Sequence, residues 1–203
     1  MGVDYDIPFI VSRYDKVIVE LGMGDGILLR QLRNNEFNKN SIFIGIEIDK
    51  KKYSHACDVL GWDHVCLIRD DFEKIIHKFP LFSIDEAISV LPHPNYIDRA
   101  LENCWIPFYQ TLLSKLKING ILTIVTELTN DLLDPISDTE FQNWKEWLVS
   151  IFVSIGFDIK RVFRGIPDGY ITTLLDAFKA DPLRIKILTI ELGKKYLPLY
   201  LPL

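Results

Sequence analysis

Short apolar runs and apolar stripes at helical spacing alternate along this chain. Lys16-Val17-Ile18-Val19 is a β-branched run of the kind a parallel strand buries on both faces, and Glu20 ends it. Ile27-Leu28-Leu29 and Leu32 restart the pattern at helical spacing, until Asn34, Asn35, Asn38 and Asn40 break it. Residues 41–48 read as a second strand and residues 50–60 as a helix with Gly61 as its C-cap. A third strand follows over 64–68, a short helix over 72–78 and a fourth strand over 83–90. Pro92 and Pro94 stop that strand sharply. Residues 99–117 carry Leu101, Trp105, Phe108, Leu112 and Leu116 at helical spacing, and Pro107 predicts a kink or a break into two helices. After an Asn119-Gly120 turn, residues 121–127 form a fifth strand. Residues 138–155 place Phe141, Trp144, Leu148, Phe152 and Ile155 on one helical face, and Gly156 caps them. A sixth strand spans 157–163. Gly165, Pro167 and Gly169 make 164–181 loop-like, with a helix over 172–178. Residues 184–192 are a last strand, antiparallel at or near the sheet edge.

Strand and helix alternating throughout predict one α/β domain over residues 1–203: a Rossmann-like, seven-stranded, mostly parallel sheet with helices on both faces. Asp4, Asp6 and Pro8 argue against a helix before Phe9, so residues 1–15 read as an arm, either covering the ligand cleft or packing Phe9 and Ile10 on the core. The apolar tail 196–203 suggests a homodimer contact, or packs on its own sheet.

Open α/β sheets bind ligands beyond the carboxyl ends of their strands, and the chemistry-bearing residues collect there. Gly22, Gly24 and Gly26 follow Glu20 in an acid-first G-x-G-x-G turn, which differs from the G-x-G-x-x-G of dinucleotide folds. Such a turn lets a nucleoside ligand approach the backbone. Glu47 ends the second strand, where a carboxylate accepts ribose hydroxyls; Asp49 competes for that role. Asp70 and Asp71 end the third strand, where one can accept the adenine amino hydrogens and one can cap the next helix. Leu91, Pro92, His93, Pro94, Asn95 and Tyr96 form a stiff loop after the fourth strand. His93 is a candidate proton acceptor there, and Tyr96 either stacks on a base or fills the core. Thr126 and Glu127 end the fifth strand and line a candidate acceptor pocket.

Composition narrows the partners. The net charge is −5 and the pI about 5.4, which argues against a dominant basic surface. Lys160, Arg161, Arg164, Lys179, Arg184, Lys186, Lys194 and Lys195 give the C-terminal third a mild basic excess. Cys57, Cys66 and Cys104 lack C-x-x-C spacing and read as thiols in a reducing compartment, with no metal site. His55, His64 and His77 read as structural. No apolar run reaches membrane-span length and the first residues do not form a signal peptide, so a cytoplasmic protein is expected.

These residues resemble a known family. Glu20-Leu21-Gly22-Met23-Gly24-Asp25-Gly26 is similar to the first motif of the class I S-adenosylmethionine (SAM) methyltransferases. Gly45-Ile46-Glu47, the run from Ser83 to Pro94, and the segment ending in Thr126-Glu127 further resemble the bacterial single-subunit tRNA (guanine-N7) methyltransferases over residues 17–127. The resemblance implies SAM as cofactor, held by Glu20, Gly22, Gly24, Gly26, Glu47, Asp71 and Leu91. It implies tRNA or another RNA as acceptor, with Thr126 and Glu127 contributing to the guanine site; by their place at the strand ends, Pro92, Asn95 and Tyr96 are read at the substrate and His93 and Glu127 in catalytic positions. The family's Pro-Asp-Pro-Trp loop is Pro92-His93-Pro94-Asn95 here, the following basic run is mostly gone, and Thr-Asp is Thr126-Glu127. The C-terminal Thr-x-x-Glu element has Thr172 or Thr173 as its nearest match. These departures keep two alternatives open: a methyltransferase of a small molecule or protein, and a non-catalytic partner subunit of the same fold.

Overall fold

The computed structural model describes residues 5–36, 40–61, 63–130 and 134–194. Seven strands form one sheet: β1 (Lys16–Leu21), β2 (Ser41–Ile46), β3 (Val65–Ile68), β4 (Ile84–Val90), β5 (Leu116–Leu128), β6 (Phe157–Arg164) and β7 (Lys186–Lys194). Their spatial order is β3-β2-β1-β4-β5-β7-β6. β1 to β5 pair in parallel, while β7 runs antiparallel to both β5 and β6. β7 therefore sits one strand in from the edge, which β6 occupies. The order reverses between β1 and β4, the switch point where such sheets open a crevice.

Among the described residues seven helices flank the sheet: α1 (Ile7–Val11), α2 (Ile27–Glu36), α3 (Lys50–Val59), α4 (Phe72–Ile76), α5 (Glu102–Lys115), α6 (Asp138–Ile155) and α7 (Thr173–Lys179). Strand alternation sorts them onto two faces. Val17, Val19, Ile42, Ile44, Leu122 and Ile124 pack on one side against α1, α4, α5 and α6. Ile18, Phe43, Leu67 and Ile88 pack on the other against α2 and α3, and Val125 and Ile187 pack there against α7. Much of the aromatic content fills the first layer, where Trp105 and Tyr109 of α5 meet Phe152 of α6.

Four expectations are corrected. Residues 7–11 are a helix, because Asp6 accepts the Phe9 N–H as N-cap and Pro8 falls in the first turn, where its missing N–H has no intrahelical partner to lose. Gly61 does not cap α3; the chain leaves the helix through Leu60 in an extended conformation. α5 runs unbroken through Pro107, and the interruption comes earlier, as 3-10 turns over Pro94–Tyr96 and Arg99–Leu101. β5 starts at Leu116, with Asn119 and Gly120 absorbed as a register irregularity against β4. The amphipathic helix over 138–155 stands at its expected bounds, with Ser137 and Glu140 closing a capping box.

The tail 196–203 lies outside the described residues. Among those described, no helix is long and apolar enough to cross a membrane.

Candidate active site at the strand ends

β1 runs into a turn in which Gly22 and Gly24 have φ of +73° and +58°. Only glycine takes these angles without strain. The Gly22 and Met23 N–H groups donate to the Ile46 carbonyl at 2.9 and 3.0 Å, which stitches the turn to the end of β2. A Cβ built on Gly22 or Gly24 would meet nothing within 4 Å, so both backbones face open space of the kind a ligand fills. Gly26 differs. A Cβ there would come 2.7 Å from Leu60 and 3.0 Å from Ala56, so this glycine admits α3 rather than a ligand. The Gly45 of Gly-Ile-Glu has a packing cause too: a side chain there would collide with the Met23 sulfur.

Glu20 is the chemically unusual group. It lies on the α2/α3 face with Ile18, is 2% exposed, and its Oε2 has no hydrogen-bond partner. Burial, then the Asp25 carboxylate, hold its carboxyl well above the ordinary carboxylate range, with a smaller push from Glu47. It sits in the wall of a cavity of about 470 Å³ together with Gly22, Gly24, Val90 and Leu91. Leu91 follows β4 at φ +50°, an unfavourable conformation for leucine that its N–H holds by donating to the Val125 carbonyl at 2.7 Å.

The acids after β2 and β3 lie beside this cavity, outside its wall. Glu47 is buried; its Oε2 accepts the Gly24 N–H at 2.9 Å and its Oε1 the Asp49 N–H at 2.8 Å. Each oxygen keeps a second lone pair, so Glu47 can brace the turn and still accept a hydroxyl. Asp49 is committed as N-cap of α3. Asp71 caps α4 by accepting the Glu73 N–H at 2.9 Å, while Asp70 is exposed and accepts the Asp71 N–H. The turn, Glu47 and the Asp70-Asp71 pair thus follow one another across the ends of adjacent strands β1, β2 and β3.

The loop after β4 is internally satisfied. His93 is exposed, and its Nδ1 accepts the Asn95 N–H at 3.2 Å as cap of the first 3-10 turn. A neutral ring with Nδ1 as acceptor carries its proton on Nε2, so this arrangement presents a donor to solvent, not a base. Pro92 is buried and Asn95 exposed. Tyr96 packs against Phe72 and Phe108 and donates from its hydroxyl to Glu73 at 3.3 Å, so it fills the core side of the loop.

At the end of β5, alternation sends Thr126 to the face of Ile124 and Glu127 to the face of Val125. Thr126 is fully buried with its hydroxyl unpartnered. Glu127 also leaves one oxygen, Oε2, unpartnered, and burial pushes its carboxyl up to about 7. Glu20 and Glu127 therefore share a sheet face, on strands separated by β4.

Sequence reasoning did not place α7 at the site. Thr172, Thr173, Leu174 and Ala177 complete the cavity wall. The Thr173 hydroxyl donates to Asp25 Oδ2 at 3.0 Å, and the Ile171 N–H donates to Gln31 at 3.3 Å, tying this segment to the glycine turn and α2. Its only sequence signal was the pair Thr172-Thr173. The C-terminal basic residues do not form a single-sign patch. Lys160, Arg161, Arg164, Lys179 and Arg184 pair with Asp158, Glu191, Asp138, Asp176 and Asp181. Lys186 approaches Asp138, and Lys195 lies outside the described residues.

No family model and no curated protein matches the chain. Solved structures do. The chain is similar to the 16S rRNA methyltransferase KamB, with a TM-score of 0.68 at 14% identity, over 93% of this chain and 92% of that one. It is similar to a 30S ribosomal A1408 methyltransferase from an uncultured bacterium, with a TM-score of 0.60 at 22% identity, over 92% and 91%. A phosphoethanolamine N-methyltransferase of Haemonchus contortus, in complex with phosphomonomethylethanolamine and S-adenosylhomocysteine, gives 0.60 at 15% identity, over 91% of this chain and 50% of that one. The architecture is the class I methyltransferase fold.

Proposed function

We propose that the chain is a SAM-dependent methyltransferase whose acceptor is a base nitrogen of RNA, with guanine N7 of tRNA as the specific acceptor that its motifs imply. One observation carries the donor assignment: the buried Glu20 carboxyl, one oxygen of which is unpartnered, in the wall of a cavity framed by Gly22 and Gly24. A carboxylate left unpaired in an apolar setting is destabilising unless a ligand pairs with it. SAM supplies a cationic amino group, a ribose, an adenine and an activated methyl. Glu20 would pair with the amino group, Glu47 would accept a ribose hydroxyl, and Asp70 or Asp71 would meet the adenine edge. The protein's main task in such a transfer is positioning the acceptor in line.

Support for an RNA acceptor is the two-way match with the ribosomal RNA methyltransferases, each covered over more than 90% of its own length, against 50% for the phosphoethanolamine enzyme. The paired C-terminal cations favour a second reading, a small-molecule acceptor. Calorimetric titration with SAM tests the donor site; absence of binding overturns the methyltransferase reading. Labelled methyl transfer onto unmodified tRNA and onto 30S subunits, followed by nucleoside analysis, tests the acceptor. Label in 7-methylguanosine from tRNA is expected; label in neither RNA moves the assignment to a small molecule.

A further inference from the structure

Across α7 from the donor cavity lies a second cavity of about 410 Å³. Ile187 and Ile166 give it an apolar lining, Tyr170 and Phe178 contribute rings, and Arg164 and Lys179 supply cations. α7 is a shared wall: Thr173, Leu174 and Ala177 line the donor side, while Phe178 and Lys179 line this one. Leu175, fully buried in the cluster of Val125 and Ile187, seals the helix to the sheet. A helix is about 10 Å across, so the cavities are neighbours without being one space. Ile187 is also the cross-strand partner of Glu127, which places that half-buried carboxyl beside the second cavity.

A concavity of this size with aromatic and aliphatic walls suits a planar ring. Aromatic side chains stack on nucleobases with little regard to base identity. The cations sit in exposed pairs, Arg164 with Asp138 at 3.1 Å and Lys179 with Asp176 at 3.4 Å; Arg164 also lies over the Phe141 ring at 5.5 Å, and, among the described residues, Asp168 is the one acid in the wall. Such pairs contribute little to stability, so exchanging an aspartate for a phosphate carries a small penalty. A ring held here is separated by α7 from the donor cavity, so it is not the ring that receives the methyl group. We propose that the cavity between Tyr170 and Phe178 holds a nucleobase of the acceptor RNA adjacent in the strand to the methylated one. The inference rests on the RNA reading of the acceptor.

Fluorescence anisotropy with a short labelled single-stranded RNA, and with its abasic counterpart, tests it alongside calorimetric SAM titration. Phe178→Leu and Tyr170→Leu keep apolar packing while removing a stacking face. Each is expected to weaken binding of the intact RNA roughly tenfold with SAM affinity unchanged, while the thermal midpoint falls modestly for the packing each ring gives its buried cluster. Phe178→Trp restores a stacking face and is expected to bind close to wild type. The abasic RNA is expected to bind wild type about as weakly as intact RNA binds the leucine variants. Equal RNA affinity for wild type and both leucine variants, or equal wild-type affinity for intact and abasic RNA, overturns the subsite alone. Wild type that binds SAM but neither RNA overturns the RNA reading and the subsite with it.

Discussion

The ends of β1 and β5 make an instructive pair. Each carries a glutamate one residue before its end, on the same sheet face and with one oxygen unpartnered; Glu20 is buried and Glu127 half-buried. The two differ in what surrounds the carboxyl. Glu20 has Asp25 and Glu47 nearby, so a second acidic group adds to the effect of burial. Glu127 is raised by burial alone, and only to about 7. A carboxyl among other acids, facing open glycine backbone, is arranged to wait for a cation. A lone carboxyl poised near neutrality is arranged to gain or lose a proton. The first arrangement fits grip on a donor, the second fits contact with an acceptor.

The largest effect is expected at β1. Glu20→Gln should weaken SAM binding by about a hundredfold, the loss of a buried charge-assisted contact. The same variant should melt higher than wild type without ligand, because an unpaired buried acid is gone. Calorimetry and thermal melting read the two signs; a matching fall in both would make Glu20 merely structural. Gly24→Ala comes next: forcing a Cβ at φ +58° should lower stability by about 1–2 kcal/mol and weaken SAM binding further than that strain explains. Urea denaturation separates the two contributions.

Glu127 sharpens the contrast through pH. Its folded-state carboxyl holds a proton up to about pH 7, against a reference value of 4.5. Between those values the folded state binds more protons than the unfolded one, so stability falls as pH rises, by up to about 3 kcal/mol. Glu127→Gln should remove that share of the fall and leave the share from Glu20, whose carboxyl is also raised; denaturation of wild type and variant at pH 5 and pH 7.5 will show the difference. The smallest effect is expected at His93. His93→Asn retains a capping acceptor and should leave the transfer rate nearly unchanged; a tenfold drop would return His93 to proton transfer.

Much of this was legible in the sequence because it depends on local pattern. The β-branched runs, the stripe from Phe141 to Ile155, and the acid-first glycine turn each carry their geometry in consecutive residues. What escaped depends on partners distant in sequence. α1 is five residues long and stands because Ile7 and Val11 reach the core. α7 was placed as a helix, yet its position over the donor cavity comes from contacts between Thr173 and Asp25, 148 residues apart. The loop residues were visible as a cluster, but not that His93 would spend its lone pair on Asn95 or that Tyr96 would turn inward onto Phe72. Local stiffness from two prolines says where a loop stops, not which atoms it leaves available.

The strand order β3-β2-β1-β4-β5 has a consequence for how such a protein diversifies. The glycine turn, Glu47 and the Asp70-Asp71 pair hang from β1, β2 and β3, while Val90 and Leu91 at the end of β4 and the segment 172–177 close the glycine-turn cavity from the other side. Substitutions in the exposed part of the loop after β4, at His93 and Asn95, can reshape the rim while the cavity wall stays intact. The Pro92-His93-Pro94-Asn95 loop takes its hydrogen bonds from within and the glycine turn takes its from β2, so each can vary without unmaking the other.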